Sequence, residues 1–126
     1  PCYANPGDAG LDLYTNKDYT LWPGDTVSVG TGIAVEIPEG YVGLIWDKSG
    51  LALTSRVSTL AGVIDSGYRG EVRVVMIYHG EHKCELKAGQ KIAQMLIQPV
   101  ERVEVKVVDA LSKTERGTGG FGSTGV

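Results

Sequence analysis

The sequence predicts an all-β domain, either a sandwich or a barrel built from short strands. Apolar and polar residues alternate with a period of two in several segments, and turn signals separate these segments from one another. Eighteen glycines in 126 residues supply the backbone freedom that frequent tight turns require. A spacing of about ten residues between turns is typical of such folds and not of alternating strands and helices.

Four segments have the alternation of a strand with one apolar face. The predicted inward positions are Ile33, Val35 and Ile37; Val42, Leu44 and Trp46; Val72, Val74, Met76 and Tyr78; and Val103, Val105 and Val107. One segment, "SGLALTS" at 49–55, predicts a short helix with Ser49 as its N-cap. An all-β domain of this size leaves strand edges to be protected, which favours closure into a barrel or assembly into an oligomer.

Composition limits the classes of function. A chain of 126 residues fits one domain with one core, and a net charge of −3 excludes a general attraction to nucleic acid or to an anionic membrane. No stretch approaches about 18 apolar residues and no leader pattern is visible. We therefore expect a soluble intracellular protein, cytoplasmic unless its source places it in a nucleus or a virion. Cys2 and Cys84 form no CxxC motif and are expected to be free thiols.

The segment "AGVIDSGYRGEV" at 61–72 carries a candidate general base. Asp65 follows an apolar run and precedes a Ser-Gly turn, so we expect its carboxylate to be partly desolvated, which suits a base acting on water. Tyr68 lies three residues further on and is placed to wall the same pocket. The alternative is a plain hairpin in which Asp65 stabilises its own turn and Tyr68 packs in the core.

Two further segments carry groups that suit phosphate and metal. Lys48, Ser49 and Gly50 in "WDKSGLA" combine a cation, a hydroxyl and open backbone amides at a strand end, a combination that can hold phosphate. The alternative is a solvated turn that caps a helix. In "DAGLDLYT", Asp8 or Asp12 can hold Mg²⁺ through water, because this ion prefers few carboxylates together with substrate phosphates. The alternative is a solvated surface acid.

The last two candidate segments are a strand and the glycine-rich end. Gln94 interrupts the apolar strand "GQKIAQMLI", where it is either satisfied by neighbouring backbone or directed at a ligand. In "RGTGGFGSTGV" at 116–126, Arg116 can clamp a terminal phosphate and Phe121 can stack on a base. Ordering about ten flexible residues costs on the order of 10 kcal/mol of backbone entropy, so we expect this end to order only around a ligand.

Taken in order, these segments resemble the five motifs of the trimeric deoxyuridine triphosphatase (dUTPase) family. The resemblance runs from "PCYANPGDAGLDL" to "GFGSTG" and covers essentially the whole chain. It implies a jelly-roll-like β-barrel over 1–115, a flexible C-terminal flap over 116–126, and a homotrimer whose active sites are shared between subunits. It also implies hydrolysis of dUTP to dUMP and pyrophosphate with Mg²⁺, which keeps uracil out of DNA and supplies dUMP for thymidylate synthesis.

The resemblance also implies roles for individual residues. Asp65 would activate the water that attacks the α-phosphorus in line, and Asp12 would help to hold Mg²⁺ through water. Tyr68 would pack under the deoxyribose and exclude a ribose hydroxyl. The residues that would contact uracil are Gly62, Val63, Ile64 and Arg73, through main-chain groups. Those that would contact phosphate or close over the nucleotide are Lys48, Ser49, Gly50, Gln94, Arg116, Phe121, Gly122 and Ser123.

Two of the segments depart from the motifs of the family. Lys48 stands where Arg is common, which keeps the charge but loses bidentate geometry, and Gln90-Lys91 stands where Asp-Arg is common, so a supporting ion pair is missing or replaced. Two other functions stay open at this point. One is a dCTP deaminase on the same fold, and the other is a non-catalytic nucleotide- or protein-binding module.

Overall fold

The computed structural model describes residues 1–121 and 123, and within them the chain forms strands and one short helix. The all-β prediction is therefore confirmed. The elements in chain order are β1 Leu11–Tyr14, β2 Tyr19–Leu21, β3 Thr26–Gly30, β4 Tyr41–Asp47, α1 Ser49–Ser55, β5 Val57–Leu60, β6 Val63–Ile64, β7 Arg73–Tyr78, β8 Cys84–Leu86 and β9 Lys91–Pro99.

The strands form three antiparallel sheets. Their strand orders are β1-β9-β4-β6, β3-β7-β5 and β2-β8. None of the three closes on itself, so the barrel-like shape comes from packing of open sheets and not from one continuous ring of hydrogen bonds. The longest pairing joins β4 to β9 from Tyr41↔Pro99 to Asp47↔Ala93. This pairing forms the centre of the four-stranded sheet.

A single apolar core lies between the sheets. The strand β7 shows the predicted alternation most clearly, because Val74, Met76 and Tyr78 are buried while the residues between them are more exposed. Other core residues from several strands are Leu13, Leu21, Val29, Ile45, Val57, Leu86, Ile92 and Met95. Asp12 and Thr15 are the buried polar residues in the part of the chain that the structure describes.

One irregularity in β9 decides where its polar side chains point. The β1–β9 register shifts between Leu13 and Tyr14, so that Tyr14 pairs with Lys91 while Asp12 pairs with Gln94. Ile92 and Ala93 are consecutive and both buried, as expected for an extra residue in a β-bulge. Strict alternation would place Lys91 and Gln94 on opposite faces, whereas the bulge brings both to the side of Asp12.

The predicted inward face of β4 is wrong. Gly43 and Ile45 are buried, whereas Val42 and Leu44 are half-buried and Trp46 is 57% exposed. Both faces of this strand carry apolar residues, so the alternation alone cannot tell which face meets the core of the same chain.

Two segments predicted as strands have no ladder partner within the described residues. Residues 33–37 keep their alternating burial, with Ile37 buried, but are not assigned to a strand. Residues 103–107 also form no strand, and Val103, Val105 and Val107 are 79%, 85% and 98% exposed. A strand needs a neighbour to satisfy its backbone groups, and the sequence does not say whether the same chain supplies one.

The short helix and the two cysteines were also predicted from the sequence. The helix α1 forms as predicted, but its N-cap is Lys48, and Ser49 is the first helical residue. Cys2 and Cys84 are free, as predicted. Among the described residues, no helix has the length and apolar character needed to cross a membrane.

The burial of Leu86 in the core predicts how its removal changes the free energy of unfolding. Leu86→Ala removes a side chain that is fully buried and should lower the free energy of unfolding by about 2–5 kcal/mol, because the cavity is not refilled. The matched control is Leu53→Ala in α1, whose side chain is 85% exposed and whose loss should cost less than about 0.5 kcal/mol. Urea unfolding of the two variants measures both values. Equal losses would contradict the assigned core.

Candidate active site

The hairpin that carries Asp65 is anchored to β4 by a close backbone approach. Ala61 and Gly62 both have positive φ, 61° and 110°. The amide of Ile45 donates to the Gly62 carbonyl at 2.8 Å, and a Cβ at Gly62 would lie 2.9 Å from the Ile45 carbonyl oxygen. Only glycine fits this contact without displacing the backbone of Ile45. The contact therefore fixes where the segment that leads into β6 lies against β4.

Asp65 and Tyr68 face one small cavity at the far end of β6. The amide of Tyr68 donates to the Asp65 carbonyl at 3.0 Å, which closes a turn. The two side chains, with Val63 and Arg73 among others, line a cavity of about 170 Å³. Asp65 also lines a larger neighbouring cavity of about 620 Å³. The turn therefore places the Asp65 carboxylate at the boundary of these two cavities.

The burial predicted for Asp65 is not found in the single chain. Asp65 is exposed, and so is Val63, which precedes it in β6 and is 65% exposed. The strand is only two residues long, and the apolar run of the sequence does not enter the core of its own chain. Any desolvation of this carboxylate has to come from a ligand or from another chain.

A hydrogen-bonded group holds the wall of this cavity in place. The Tyr68 hydroxyl donates to the Glu71 carbonyl at 3.0 Å. The Arg73 guanidinium donates to the Ser28 carbonyl at 2.6 Å and to the Glu71 carboxylate at 2.8 Å. The Gly32 amide also donates to Glu71, and this bond, followed by that from Arg73, lowers the pKa of the Glu71 carboxyl below its ordinary value.

The predicted phosphate-binding residues lie at the opposite end of β4. Lys48 follows the strand directly, and Ser49 and Gly50 begin α1, both of them exposed. The first amide groups of a helix have no partner within it, so the backbone at Ser49 and Gly50 is open to a ligand. A Cβ at Gly50 would meet nothing within 4 Å.

Asp12 is buried and in contact with two lysines. Its side chain is 3% exposed; Oδ1 lies 2.6 Å from Lys48 Nζ, and Oδ2 lies 2.7 Å from Lys91 Nζ. The ammonium groups of Lys48 and then Lys91 hold the pKa of the Asp12 carboxyl below its ordinary value, and Asp12 in turn raises the pKa of Lys91.

These surroundings do not fit a metal ion at Asp12. Its Oδ1 accepts from Lys48, and its Oδ2 is closed to solvent, so neither oxygen is open to a metal-bound water. Two ammonium groups beside one carboxylate leave a net positive charge, which repels a divalent cation. Within residues 1–121 and 123 there is also no group of three or more acidic, His or Cys side chains that could hold a metal.

Gln94 is partly satisfied by backbone. Its side-chain amide donates to the Asp47 carbonyl at 2.9 Å. Gly10 leaves room for it, because a Cβ there would lie 2.5 Å from Gln94 Oε1. The side chain is therefore fixed beside the start of α1, where Lys48 and Ser49 lie.

The described part of the glycine-rich end folds on itself in successive turns. Arg116 Nε donates to the Gly119 carbonyl at 2.9 Å, and the Ser123 amide donates to Gly120 at 3.1 Å. Phe121 has φ 49° and is fully exposed. Gly122, which was also predicted to contact nucleotide, lies outside the described residues.

The single chain does not bring the predicted site residues together. Ile64 pairs with Gly43, so Asp65 lies level with Val42, and Lys48 lies six residues further along the chain. At about 3.3 Å per residue the Cα atoms of the two residues are separated by roughly 20 Å. Adjacent phosphates of a nucleotide share one bridging oxygen, so one triphosphate cannot place its α-phosphorus at Asp65 and its other phosphates at Lys48 of the same chain.

Sequence reasoning did not assign a role to three residues. Lys91 was recognised only as a departure, because its contact with Asp12 depends on the bulge in β9. Glu71 carries no pattern of its own, and its function is visible only through its bonds to Gly32 and Arg73. Gly10 precedes β1, and the sequence does not show that the Gln94 side chain lies against it.

A family model described as dUTPase matches residues 1–125. A deoxyuridine 5'-triphosphate nucleotidohydrolase of Nocardia farcinica is 50% identical over 128 residues, covering 99% of this chain and 78% of that protein. A protein of the same name from Clostridium tetani is 46% identical, covering 99% of this chain and 88% of the relative.

Solved structures resemble the fold closely. A mutant dUTPase of Staphylococcus bacteriophage 80alpha with dUpNHpp superposes with a TM-score of 0.94 at 29% identity, covering 100% of this chain and 91% of the other. A mutant enzyme of phage phi11 of S. aureus, described with a structural Mg(II) ion, has a TM-score of 0.84 at 25% identity, covering 90% and 91% of the two chains.

The contacts of Asp12 predict how stability responds to acid. The folded-state pKa of Asp12 lies below its ordinary value of 3.8, so folding favours the ionised carboxylate. This stabilisation is complete above that value and is lost as the pH falls through the folded-state pKa. Asp12→Asn should therefore lower the free energy of unfolding at pH 7 and flatten its decline between about pH 5 and pH 2.

Urea unfolding at a series of pH values measures this effect. Glu39→Gln, which removes an exposed carboxylate, is the control. A decline in Asp12→Asn as steep as in the wild type would show that Asp12 does not contribute to acid sensitivity.

Proposed function

We propose that this chain, which belongs to the dUTPase family, hydrolyses dUTP to dUMP and pyrophosphate. The observation that carries the chemistry is the turn that directs Asp65 and Tyr68 into one cavity. The family match over residues 1–125 supplies the identity of the substrate. The activity keeps uracil out of DNA and provides dUMP for thymidylate synthesis. The location inside a cell stays a prediction from the sequence.

Asp65 acts as the general base in this proposal. Its carboxylate takes a proton from a water molecule, and the water oxygen attacks the α-phosphorus in line with the bond that breaks. The electrons of that bond leave with the oxygen that joins the α- and β-phosphates, which departs with pyrophosphate. The support is the position of Asp65 at the edge of the cavity that Tyr68 walls.

Tyr68 and the main chain of the hairpin select the nucleoside. The Tyr68 hydroxyl is engaged by Glu71, so the ring has a defined position from which to pack under deoxyribose and exclude a 2′-hydroxyl. Main-chain groups of Gly62, Val63, Ile64 and Arg73 are proposed to bind the uracil edge. The Gly62 carbonyl accepts from the Ile45 amide and keeps a second lone pair for a ligand.

Base specificity follows from the pairing of donors and acceptors. The ring N3 of uracil donates a hydrogen bond, whereas that of cytosine accepts one. A site matched to uracil leaves buried groups unpaired when cytosine enters, and such mismatches are strongly unfavourable. A narrow pocket excludes the 5-methyl group of thymine by contact.

The remaining site residues are proposed to bind the triphosphate from other subunits. Lys48, Ser49, Gly50 and Gln94 cluster at the start of α1 and are placed to contact phosphate oxygens. Arg116 is proposed to bind the far end of the triphosphate. Phe121 would cover the uracil, and Gly122 and Ser123 belong to the same tail. The exposure of Phe121 in this chain leaves its ring available for that contact.

Magnesium is proposed to enter with the triphosphate and to neutralise part of its charge. The phage phi11 relative is described with a structural Mg(II) ion. The positive surroundings of Asp12 disfavour the predicted role of that residue as a ligand through water. No catalytic step is therefore assigned to a metal bound at Asp12.

A homotrimer with shared sites accounts for three properties of the single chain. Asp65 and Lys48 lie too far apart to act on one substrate. Apolar residues that include Trp46 and Val63 line an open cavity of about 340 Å³ on the outer face of β4. Residues 103–107 form no strand, and Val103, Val105 and Val107 are exposed. Exposed apolar surface of this extent is typical of protein interfaces.

A panel of nucleotides with Mg²⁺ tests the activity. We expect turnover of dUTP alone among dUTP, dCTP, dTTP and UTP, with dUMP and pyrophosphate as products. Asp65→Asn should retain binding of dUpNHpp and lose about a hundredfold to a thousandfold in kcat, because the base is removed but the contacts remain. Ammonia from dCTP would identify a deaminase, and silence on all four would identify a binding module. Normal turnover in Asp65→Asn would remove it from the base role.

Mixing two inactive variants tests the shared sites. Asp65→Asn and a chain truncated after residue 115 should each be inactive as homotrimers. Unfolded together and refolded, they form mixed trimers in which some sites combine an intact Asp65 with an intact tail, so activity should return.

Light scattering should give a mass of about three times 13.4 kDa. A monomer, or mixed trimers without recovered activity, would contradict sharing.

A further inference from the structure

Asp12, Lys48 and Lys91 form a charged cluster, of which the proposed hydrolysis assigns a role only to Lys48. One carboxylate with a side-chain exposure of 3% contacts two lysines whose side chains are 30% and 44% exposed. The cluster therefore has a buried anion at its base and two ammonium groups toward its open side. Its net charge is one positive unit, from one carboxylate and two lysines.

Two features of the fold build this cluster. The β1–β9 ladder places Asp12 opposite Gln94, and the bulge at Ile92 turns Lys91 toward the same side. Lys48 arrives separately, as the residue that joins β4 to α1. Lys91 thus reaches Asp12 from β9 and Lys48 from the junction of β4 and α1, and Asp12 itself is held by backbone pairing to Gln94 and Cys2.

The contacts of the two lysines differ. Lys48 Nζ makes a hydrogen bond of 2.6 Å to Oδ1. Lys91 Nζ lies 2.7 Å from Oδ2, which is closed to solvent, and forms an ion pair with it. Either lysine alone is sufficient to balance the charge of the carboxylate. Two lysines allow one of them to bind another anion without leaving a buried charge unpaired, which would be strongly unfavourable.

We propose that Asp12 is the shared counter-ion of a two-lysine site for the triphosphate, in which Lys48 turns to the phosphates and Lys91 stays to neutralise Asp12. This inference rests on the proposed function and replaces the predicted metal role of Asp12. Lys91 is a positioning residue, because it acts through Asp12 and Lys48. A lysine at position 48 suits this exchange, since an ammonium rotates between partners more freely than a bidentate guanidinium.

Binding measured without metal tests the proposal. The probe is dUpNHpp in the presence of EDTA, with affinity measured by calorimetry. Lys91→Met should weaken its binding by at least about tenfold, because Lys48 is then needed at Asp12. Lys91→Arg should restore most of the affinity. Binding of deoxyuridine, which lacks phosphates, should be unchanged in both variants.

Kinetics and a matched control complete the test. Lys91→Met should raise KM for dUTP by a similar factor and leave kcat within about threefold, since the base and the attacking water are untouched. Lys87→Met, which removes an exposed lysine paired with Asp18 and Glu85, should change neither value. Asp12→Asn removes the buried anion and frees both lysines for the phosphates, so binding in EDTA should not weaken, and its dependence on Mg²⁺ should match the wild type.

The outcomes separate the two proposals. Wild-type protein that neither binds dUpNHpp nor hydrolyses dUTP would refute the proposed function. Normal activity together with wild-type affinity of Lys91→Met in EDTA would refute this inference alone, as would a reduced Mg²⁺ dependence in Asp12→Asn. If Lys91→Met does not fold, Lys91→Gln supplies the same comparison, and circular dichroism confirms the fold of each variant used.

Discussion

The long antiparallel pairing of β4 with β9 is the constraint on which the other features depend. It runs from Tyr41↔Pro99 to Asp47↔Ala93 and forms the centre of the four-stranded sheet. The hairpin with Asp65 is attached near its first end through the pairing of Gly43 with Ile64. Lys48, Ser49 and Gly50, which are the proposed phosphate-binding group, follow its other end. Because the ladder is rigid, the distance between these two groups is a property of the sheet and not of their side chains.

The surface of the single chain exposes several apolar residues and the Asp65 carboxylate. Trp46 and Val63 are apolar and exposed, and so are the valines of residues 103–107. Asp65 lies in the open although its proposed task calls for shelter from water. These features support the proposed homotrimer, in which the hairpin, the phosphate-binding residues and the tail of one site come from different copies of the chain.

Charge within the site is controlled by burial. Asp12 lies on the face of the sheet that carries Gln94 and Lys91, and its burial is tolerated because two ammonium groups contact it. The same arrangement turns an acidic position into part of a positive surface. At the hairpin, Glu71 has the comparable task of fixing Arg73, whose guanidinium also bonds Ser28. In both places a carboxylate orders a cation.

The sequence alone determined the fold class, the alternation of β7, the short helix after β4, the turn of Asp65 and Tyr68, and the family. These are local features, in which a period of two, a glycine or a motif within a few residues carries the signal. The inward face of β4, the contact of Lys91 with Asp12 and the open position of Asp65 were decided only by the tertiary structure. The first depends on which of two apolar faces meets the core, the second on a bulge that shifts the register by one residue, and the third on a β6 too short to enter the core. Each is a relation between segments distant in sequence, and a linear pattern does not record which surfaces the folded chain brings together.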